Sequence, residues 1–499
     1  MSLSSALGIA QSALANNAAQ SAILSKNIAN VSNTSYSLES APTLSQLSGF
    51  VTTGATQRAT DAAVMASLLS AQSASSSSQA LSDGLNQIEN TLGLNTASAS
   101  GTTAASDTSP ATLIGNLQNA LQSYAAAPDQ DALGTAAVSA AQALATNLNQ
   151  AAANVQSVRE QADSDIAASV GTINSLLQQF QTVNNQIIAG TSAGTDVSSA
   201  EDTRDGLLKQ LSSEIGITTT QGSDGSTAIY TDGGATLFNV TPSTVAFAPT
   251  TTYTASTVGN AVTVDGVPVT GASAIMPIQS GQLAGLTQLR DTTSVAYQNQ
   301  LDQMASSLIT TFAESDQTGG TAPTEPGLFT ATGLTGMPTA SDTTGLAASI
   351  RVNADVDPSQ GGTVTLLRDG GIADPSNPAY TYNTSGAAAY SGRLQQLATA
   401  LGTTQSFNAA SGGAASGSLA DYAASSVSWL ENARQSASDQ STSANALVSS
   451  TTTALSNATG VNLDDQMSIM LDVEHAYQAS AQLMNTVDTM YSSLLQAFN

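Results

Sequence analysis

The chain of 499 residues contains no cysteine and a single histidine, His475. Without cysteine there is no disulfide, no thiolate zinc site and no thiol nucleophile. A single histidine also excludes a zinc-binding H-E-x-x-H motif, which needs two. His475 follows Glu474 in the middle of a predicted helix, where a polar helix face accounts for it better than a Ser-His-Asp arrangement. We therefore predict a protein that is not an enzyme and holds no metal or cofactor.

Basic residues are scarce as well: 10 Lys and Arg stand against 36 Asp and Glu, which gives a net charge of −26. Binding to nucleic acid or to an anionic membrane surface depends on clustered Lys and Arg, and no such cluster exists, so we predict neither partner. No stretch reaches the apolar length of a membrane span. The first basic residue is Lys26, and no continuous apolar run opens the chain. We therefore predict a protein that is cytosolic or is exported without a cleaved signal peptide.

The strongest pattern lies in the last forty residues, 460–499. Apolar side chains repeat there every seven residues, which predicts a helix buried along one long seam. Asn462 is the predicted N-cap, and Asp464 and Asp465 follow in the first turn, where carboxylates suit the helix dipole. The repeat has three columns: Met470, Tyr477, Met484, Tyr491 and Phe498; Val473, Ser480, Val487 and Leu494; and Ala476, Leu483 and Met490.

A weaker repeat of the same period runs through the start of the chain, with Asn17 and Ser21 as lapses. We predict that the two terminal helices form a coiled coil. Periodicity alone leaves two interpretations open, a core within one chain or a seam that also packs against neighbouring copies. The predicted subunit-packing residues are Leu3, Leu7, Leu14, Leu24, Ile28, Met470, Val473, Tyr477, Leu483, Met484, Val487, Met490, Tyr491, Leu494 and Phe498.

Short motifs at both ends carry a family resemblance. The start has Ser-Leu-Ser-Ser-Ala-Leu at 2–7 and Asn-Ile-Ala-Asn at 27–30, and the end has Gly-Val-Asn-Leu-Asp-Asp-Gln-Met at 460–467 and Ala-Tyr-Gln-Ala-Ser at 476–480. These strings resemble the terminal motifs of the bacterial flagellar rod, hook and hook-associated family. That family usually continues with Asn-Thr-Pro-Gly-Tyr. This chain has Asn-Thr-Ser-Tyr at 33–36, one residue shorter and without Pro or Gly, so the resemblance does not predict the shape of this turn.

Two internal segments, 202–211 and 281–291, resemble the members of that family that form the junction between hook and filament. The resemblance implies a structural subunit that builds this adaptor by helical self-assembly. It implies the flagellar hook protein, hook-associated protein 3 and a flagellar export chaperone as partners, and no cofactor. It also implies an extracellular location in the flagellum, reached through the flagellar type III export apparatus.

The predicted fold is mainly α with inserted β-rich domains, because turn dipeptides such as Asp265-Gly266 interrupt helical stretches. We expect a helical bundle as a second layer beside the coiled coil, with the inserts projecting outward and a strand in the run 362–367. The predicted domains are a terminal coiled-coil domain of 1–32 and 461–499, an extended linker of 33–61, a helical domain of 62–215, 276–316 and 396–460, a β-rich insert of 216–275 and a second, β-leaning insert of 317–395.

Two further readings of the sequence stay open. One is the flagellar hook protein itself, although segments 202–211 and 281–291 argue against it. The other is an extracellular adhesin or degradative enzyme with a helical stalk, although no nucleophile or acid pair supports it. An acidic cluster at Glu201, Asp202 and Asp205 lacks the spacing of a calcium loop, so we interpret it as a helix start with solvated charges.

Overall fold

The computed structural model describes residues 3–47, 49–90, 108–340 and 342–497. Over these residues the helices are α1 Leu3–Ala29, α2 Ala62–Asn90, α3 Pro110–Ala126, α4 Asp131–Ala193, α5 Ser198–Glu214, α6 Gln282–Gln288, α7 Ser294–Thr311, α8 Leu366–Asp369, α9 Gly392–Ala400, α10 Leu419–Thr459 and α11 Leu463–Ala497. The strands are β1 Glu39–Ser40, β2 Thr43–Ser45, β3 Val51–Thr53, β4 Gln57–Arg58, β5 Ile217–Gln221, β6 Thr227–Thr231, β7 Thr236–Phe238, β8 Val245–Ala246, β9 Thr263–Val264, β10 Val267–Pro268, β11 Phe329–Ala331, β12 Ile350–Val352, β13 Gln405–Ser406 and β14 Ser416–Gly417. The predicted mainly α fold with inserted β-rich segments is confirmed, as are the long terminal helices.

Helices α1 and α11 pack lengthwise against each other. The Ser21 Oγ lies 3.8 Å from the Met470 Sδ, and the Asn27 Nδ2 lies 2.9 Å from the Gln466 Oε1. Residue numbers rise on one helix as they fall on the other, so the pair is antiparallel. The predicted cap of α11 is confirmed, because the Asn462 Oδ1 accepts a hydrogen bond of 3.0 Å from the Asp464 N–H.

The central body is organised around α4, a helix of 63 residues. Its apolar row is buried in the main core together with Leu117 and Leu121 of α3; the row consists of Leu144, Leu148, Val155 and Val158. The helical run of α3 ends after Ala126, and α4 begins only at Asp131. Pro128 explains the break, because proline has no N–H to donate and disfavours helical geometry in the residue before it.

Helix α6 crosses α2 at very close range. A Cβ added to Gly285 would lie 2.2 Å from the Ser77 carbonyl oxygen, so no larger residue fits at this position. A π-helical turn at Leu289–Thr293 then joins α6 to α7 and carries Arg290 into the interior. The chain is therefore helical from α6 through α7, with this one widened turn between them.

The first β insert holds two small antiparallel sheets, one in the order β5-β6-β7 and one in the order β10-β9-β8. Asp265 and Gly266 have φ angles of 48° and 82°, so the predicted hairpin turn between β9 and β10 is confirmed. The expected strand at 362–367 is wrong. The chain forms turns there that end in α8, because the fully buried Leu367 packs into the main core rather than onto a sheet.

The segment between α1 and α2 folds back in two short ladders, β1 with β4 and β2 with β3. Its first turn closes on Asn33, whose carbonyl accepts from the Tyr36 N–H at 3.0 Å and whose Oδ1 accepts from the Ser35 N–H at 3.1 Å. No residue of 33–36 has a positive φ angle. The asparagine side chain therefore closes a turn that needs neither proline nor glycine.

Candidate functional site: the terminal helix pair and its linker

The predicted subunit-packing residues fall into three groups by exposure. Leu24 and Val487 are buried in the seam between α1 and α11. Eight are half-buried, namely Leu3, Leu7, Leu14, Ile28, Met470, Val473, Met484 and Tyr491. Four are exposed, namely Tyr477, Leu483, Met490 and Leu494, and Phe498 lies outside the described residues. The structure thus places part of the stripe within the chain, and contact with other copies stays a prediction.

One column of α11 is left uncovered by α1 along most of the helix. Its members are seven residues apart and are all apolar: Ile469, Ala476, Leu483 and Met490, which we call the outer column. The side chains of Ile469, Leu483 and Met490 are 45%, 49% and 52% exposed. Isolated apolar residues on a surface are ordinary, but a contiguous apolar row marks an interaction surface. The sequence identified three of these positions without showing that α1 leaves them free.

The charges around the outer column are of one sign. Helix α11 carries Asp464, Asp465, Asp472, Glu474 and Asp488 and has no Lys or Arg between 463 and 497. His475 is exposed on the same helix. A new negative charge within the column would therefore find no cationic partner on its own helix.

Asn27 is the centre of a buried polar cluster that the sequence analysis missed. It is 1% exposed, and its Nδ2 donates to the Glu39 carbonyl and to the Gln466 Oε1, both at 2.9 Å. Its Oδ1 accepts from the Tyr36 hydroxyl at 2.7 Å and from the Glu39 N–H at 3.1 Å. One asparagine thus connects α1, the linker and α11. The signal in the sequence that could have identified it is an asparagine within the Asn-Ile-Ala-Asn motif, next to the apolar stripe of α1.

Asn16 plays a comparable part in the middle of α1. Its side chain contacts the Thr43 hydroxyl at 3.3 Å and accepts from the Thr53 hydroxyl at 3.0 Å. The neighbouring Ser12 hydroxyl accepts from the Val51 N–H at 3.2 Å. Polar residues of α1 therefore hold the β2–β3 ladder against the helix, and both asparagines at 16 and 17 are buried. Asn17, which the sequence analysis treated only as a lapse in the apolar repeat, is thus buried beside this ladder-binding face of α1 or within it, as Asn16 is.

Arg58 of β4 fastens the linker to α5. Its Nη1 donates to the Asp202 Oδ1 at 2.9 Å and to the Asp205 Oδ2 at 2.7 Å, and its Nε lies 3.4 Å from the Glu201 Oε2. The Asp202 Oδ2 also accepts from the Ser37 N–H at 3.3 Å. The interpretation of these acids as solvated charges is wrong, because they surround an arginine whose side chain is only 6% exposed. We call Arg58 and its three acids the clasp.

The surroundings of Tyr36 and Arg58 keep both linker side chains protonated. Burial, and next to it the carboxylates of Glu39 and Asp202, raises the pKa of the Tyr36 phenol well above its usual range. Tyr36 is therefore always able to donate to Asn27. Burial alone would lower the pKa of Arg58, but Asp205 and Asp202 outweigh it and raise the pKa. The polar cluster and the clasp thus persist across physiological pH.

Replacing Arg58 with methionine should release the linker from α5. Asp202 would then lose its cation, and Glu201 and Asp205 would keep only Arg204, at 4.0 and 3.8 Å. The local cost should be about 2–3 kcal/mol, since the charged hydrogen bonds of Arg58 are lost. Hydrogen exchange of residues 36–61 should accelerate by roughly the corresponding 30- to 150-fold, while α4 keeps its protection. The exposed Arg351 offers the matched control, because Arg351→Met removes the same charge from β12. Equal protection of the linker in the two variants would contradict the role of the clasp in holding the linker on α5.

Within 3–47, 49–90, 108–340 and 342–497, no group of three or more His, Asp or Glu side chains is arranged to hold a metal ion. In the same ranges no helix is both long and apolar enough to cross a membrane. The acidic cluster on α5 is accounted for by Arg58.

Comparison with known proteins gives two family matches. Residues 96–329 match the helical domain of the flagellar hook-associated protein FlgK, and residues 454–497 match the C-terminal region of the flagellar basal body rod FlgEFG proteins. Among solved structures, the flagellar hook junction protein FlgK from Burkholderia pseudomallei is 24% identical, with a TM-score of 0.42; the match covers 53% of this chain and 46% of that one. The chain thus spans less than half the length of that relative. A comparison with curated proteins gave no match.

One family match covers α11 and the end of α10, and the other covers α3 to α7 with the first β insert; both are to structural proteins of the bacterial flagellum. The resemblance to the flagellar rod, hook and hook-associated family is therefore confirmed. Within that family the match over 96–329 is specific to FlgK, which is hook-associated protein 1.

Proposed function

We propose that this protein is a structural subunit of the bacterial flagellum that forms the adaptor between hook and filament. The single observation that carries the proposal is the outer column, an apolar row on α11 that α1 leaves uncovered. A row of this length is a surface for helical self-assembly, in which the outer column of one copy packs against terminal helices of the next. The matches to FlgK and to the rod C-terminal region support the same class of function.

The architecture fits such an assembly. Both ends of the chain meet in one helix pair, so a ring or tube of copies can be built from that pair alone. The β-rich inserts branch from the helical body, between α5 and α6 and between α7 and α9, and leave the terminal pair free of strands other than those of its linker. Asn27 and the clasp then fix how the pair is attached to the body.

The proposed partners follow from the proposed position between hook and filament. A junction subunit contacts the flagellar hook protein on one side and hook-associated protein 3 on the other. The subunit must reach the end of the hook, so we propose export through the flagellar apparatus, extracellular assembly and a chaperone that covers the apolar terminal helices before export. An uncovered apolar column in a monomer is the kind of surface that such a chaperone would shield.

A deletion strain tests the proposal. Electron microscopy should show hooks without filaments, filament protein should accumulate in the medium, and the intact gene should restore filaments. Antibody against the first β insert should label the hook–filament boundary in the complemented strain. Normal filaments after deletion would refute the proposal. Label along the whole hook would support the hook protein instead, and label on the cell body would support an adhesin.

A further inference from the structure

We infer that a row of hydrogen-bonded side chains across α4 and α7 couples the two β inserts, so that loosening one insert loosens the other. The row consists of Arg159 and Gln156 on α4 and of Gln298 and Asp302 on α7, and we call it the polar bridge. Arg159 binds the first insert at one end, and Asp302 binds the second insert at the other. The inference goes beyond the proposed function and does not depend on it.

Every link of the polar bridge donates in the same direction. The Arg159 Nη1 donates to the Gln156 Oε1 at 2.9 Å. The Gln156 Nε2 donates to the Gln298 Oε1 at 2.8 Å, and the Gln298 Nε2 donates to the Asp302 Oδ1 at 3.0 Å. Both amides therefore align their dipoles from the cation to the carboxylate. Hydrogen bonds in such a row polarise and strengthen one another in a protein interior, so the loss of one link weakens the next.

The first insert is held by the cationic end of the polar bridge. The Arg159 Nη2 donates to the Thr257 carbonyl at 2.6 Å, and the Nη1 that binds Gln156 also donates to the Thr254 carbonyl at 3.1 Å. Arg159 is only 1% exposed. The position of this guanidinium therefore sets the position of the loop, and the link to Gln156 helps to fix the guanidinium.

The second insert is held by the anionic end. The Asp302 Oδ2 accepts from the Gly345 N–H and its Oδ1 from the Ala347 N–H, both at 2.8 Å, and the side chain is 3% exposed. Burial raises the pKa of the Asp302 carboxyl, and the hydrogen bonds from Ala347, Gly345 and Gln298 oppose that rise. These three donors are uncharged, so the polar bridge is what links the buried carboxylate to the positive charge of Arg159.

The two inserts also touch directly, which offers a second route for coupling. A Cβ added to Gly345 would lie 3.5 Å from the Ala255 Cβ, an ordinary van der Waals contact. A test of the polar bridge must therefore break the row between its ends and leave this contact in place. Gln298 is suited to that purpose, because it is 2% exposed and hydrogen-bonds within the row on both sides.

Hydrogen exchange of the purified full-length chain measures the coupling. Asp302→Ala removes the anchor of the second insert, so exchange of residues 345–352 should accelerate by roughly tenfold or more, as expected for lost hydrogen bonds to a charge. Residues 250–262 of the first insert lie at the far end of the polar bridge. Their exchange should also accelerate, by about threefold or more. Unchanged protection of α3 checks that the helical body stays folded.

Two further variants make the result specific. Gln298→Met keeps the length of the side chain and cuts the polar bridge, so in this background Asp302→Ala should still release 345–352 but should no longer change 250–262. Glu314→Ala is the matched control. Glu314 is also a buried acid that holds the second insert, since its Oε2 accepts from the Ala373 N–H at 2.9 Å, but it lies outside the polar bridge. It should leave 250–262 unchanged.

Three results would overturn the inference. Exchange of 250–262 could be unchanged in Asp302→Ala, or it could accelerate equally in Glu314→Ala. The distant effect of Asp302→Ala could also persist in the Gln298→Met background, which would assign the coupling to the direct contact between the inserts. Arg159→Met provides the reciprocal test, with 345–352 as the distant segment, and decides the question if Asp302→Ala does not fold.

Discussion

A strain that carries Leu483→Asp should secrete the variant and produce hooks without filaments. Leu483 lies in the middle of the outer column and is 49% exposed in the free subunit, so the aspartate stays solvated there. Assembly would bury it in an apolar seam, at a cost of about several kcal/mol for an unpaired carboxylate. No Lys or Arg of α11 is present to pair with it. Electron microscopy of the cells and immunoblots of the medium measure the outcome.

Two companion variants make this result specific. Asn485→Asp adds the same charge at an exposed position two residues away, on the side of α11 that does not carry the column, and should leave filaments normal. Met484→Asp places the charge at a half-buried position of the seam with α1, so it should also weaken the intrachain pair. Circular dichroism should therefore be unchanged for Leu483→Asp and reduced for Met484→Asp. Normal filaments in the Leu483→Asp strain would remove the outer column as an assembly surface.

Local patterns explain what the sequence could predict. The seven-residue repeat identified α11, Asn462 identified its cap, and Asp265-Gly266 identified a hairpin, because each signal lies within a few neighbouring residues. The repeat did not show which column α1 covers, since all three columns of α11 are apolar apart from Ser480. That choice depends on the helix partner, and Leu483 and Val487 differ only in the three-dimensional packing.

The polar part of the site could not be predicted for a different physical reason. Arg58 and Asp202 are 144 residues apart, and Asn27 and Gln466 are 439 apart, so nothing in either local sequence indicates the partner. A lone asparagine in an apolar stripe looks like a defect until its partners are seen. The helix dipole alone explains acidic residues at the start of a helix such as α5. The sequence therefore gave no reason to expect that Asp202 and Asp205 surround Arg58.

Buried charges hold the first β insert on α4. The Arg290 Nη1 donates to the Asp163 Oδ1 at 2.6 Å, and its Nη2 donates to the Asn260 carbonyl and to Asp291, both at 2.8 Å. Asp163 also accepts from the Tyr253 hydroxyl at 2.6 Å. The Arg290 and Asp163 side chains are 1% and 2% exposed. The loop of the insert is thus fixed to α4 by a fully desolvated ion pair.

Arg159 completes the attachment from one turn earlier on α4. Its Nη2 donates to the Thr257 carbonyl at 2.6 Å, its Nη1 to the Thr254 carbonyl at 3.1 Å, and its Nε to the Arg290 carbonyl at 3.0 Å. Burial lowers the pKa of Arg159 from its ordinary value, which reflects how little solvent reaches the cluster. Since Arg159 pairs with backbone carbonyls, Arg290 is the main cation that balances Asp163.

Arg290→Met should therefore destabilise the protein by about 3–5 kcal/mol, because it leaves the Asp163 carboxylate buried without a cation. A urea titration followed by circular dichroism should show the loss as a lower midpoint. Arg434→Met is the matched control: Arg434 pairs with Glu89 at 3.0 Å, but its side chain is 22% exposed, so about 1 kcal/mol or less is at stake. The double variant Asp163→Asn with Arg290→Met should recover part of the loss, since the unpaired charge is gone. A midpoint for Arg290→Met equal to that of Arg434→Met would mean that water reaches Asp163 and that the insert is held on α4 by its apolar contacts alone.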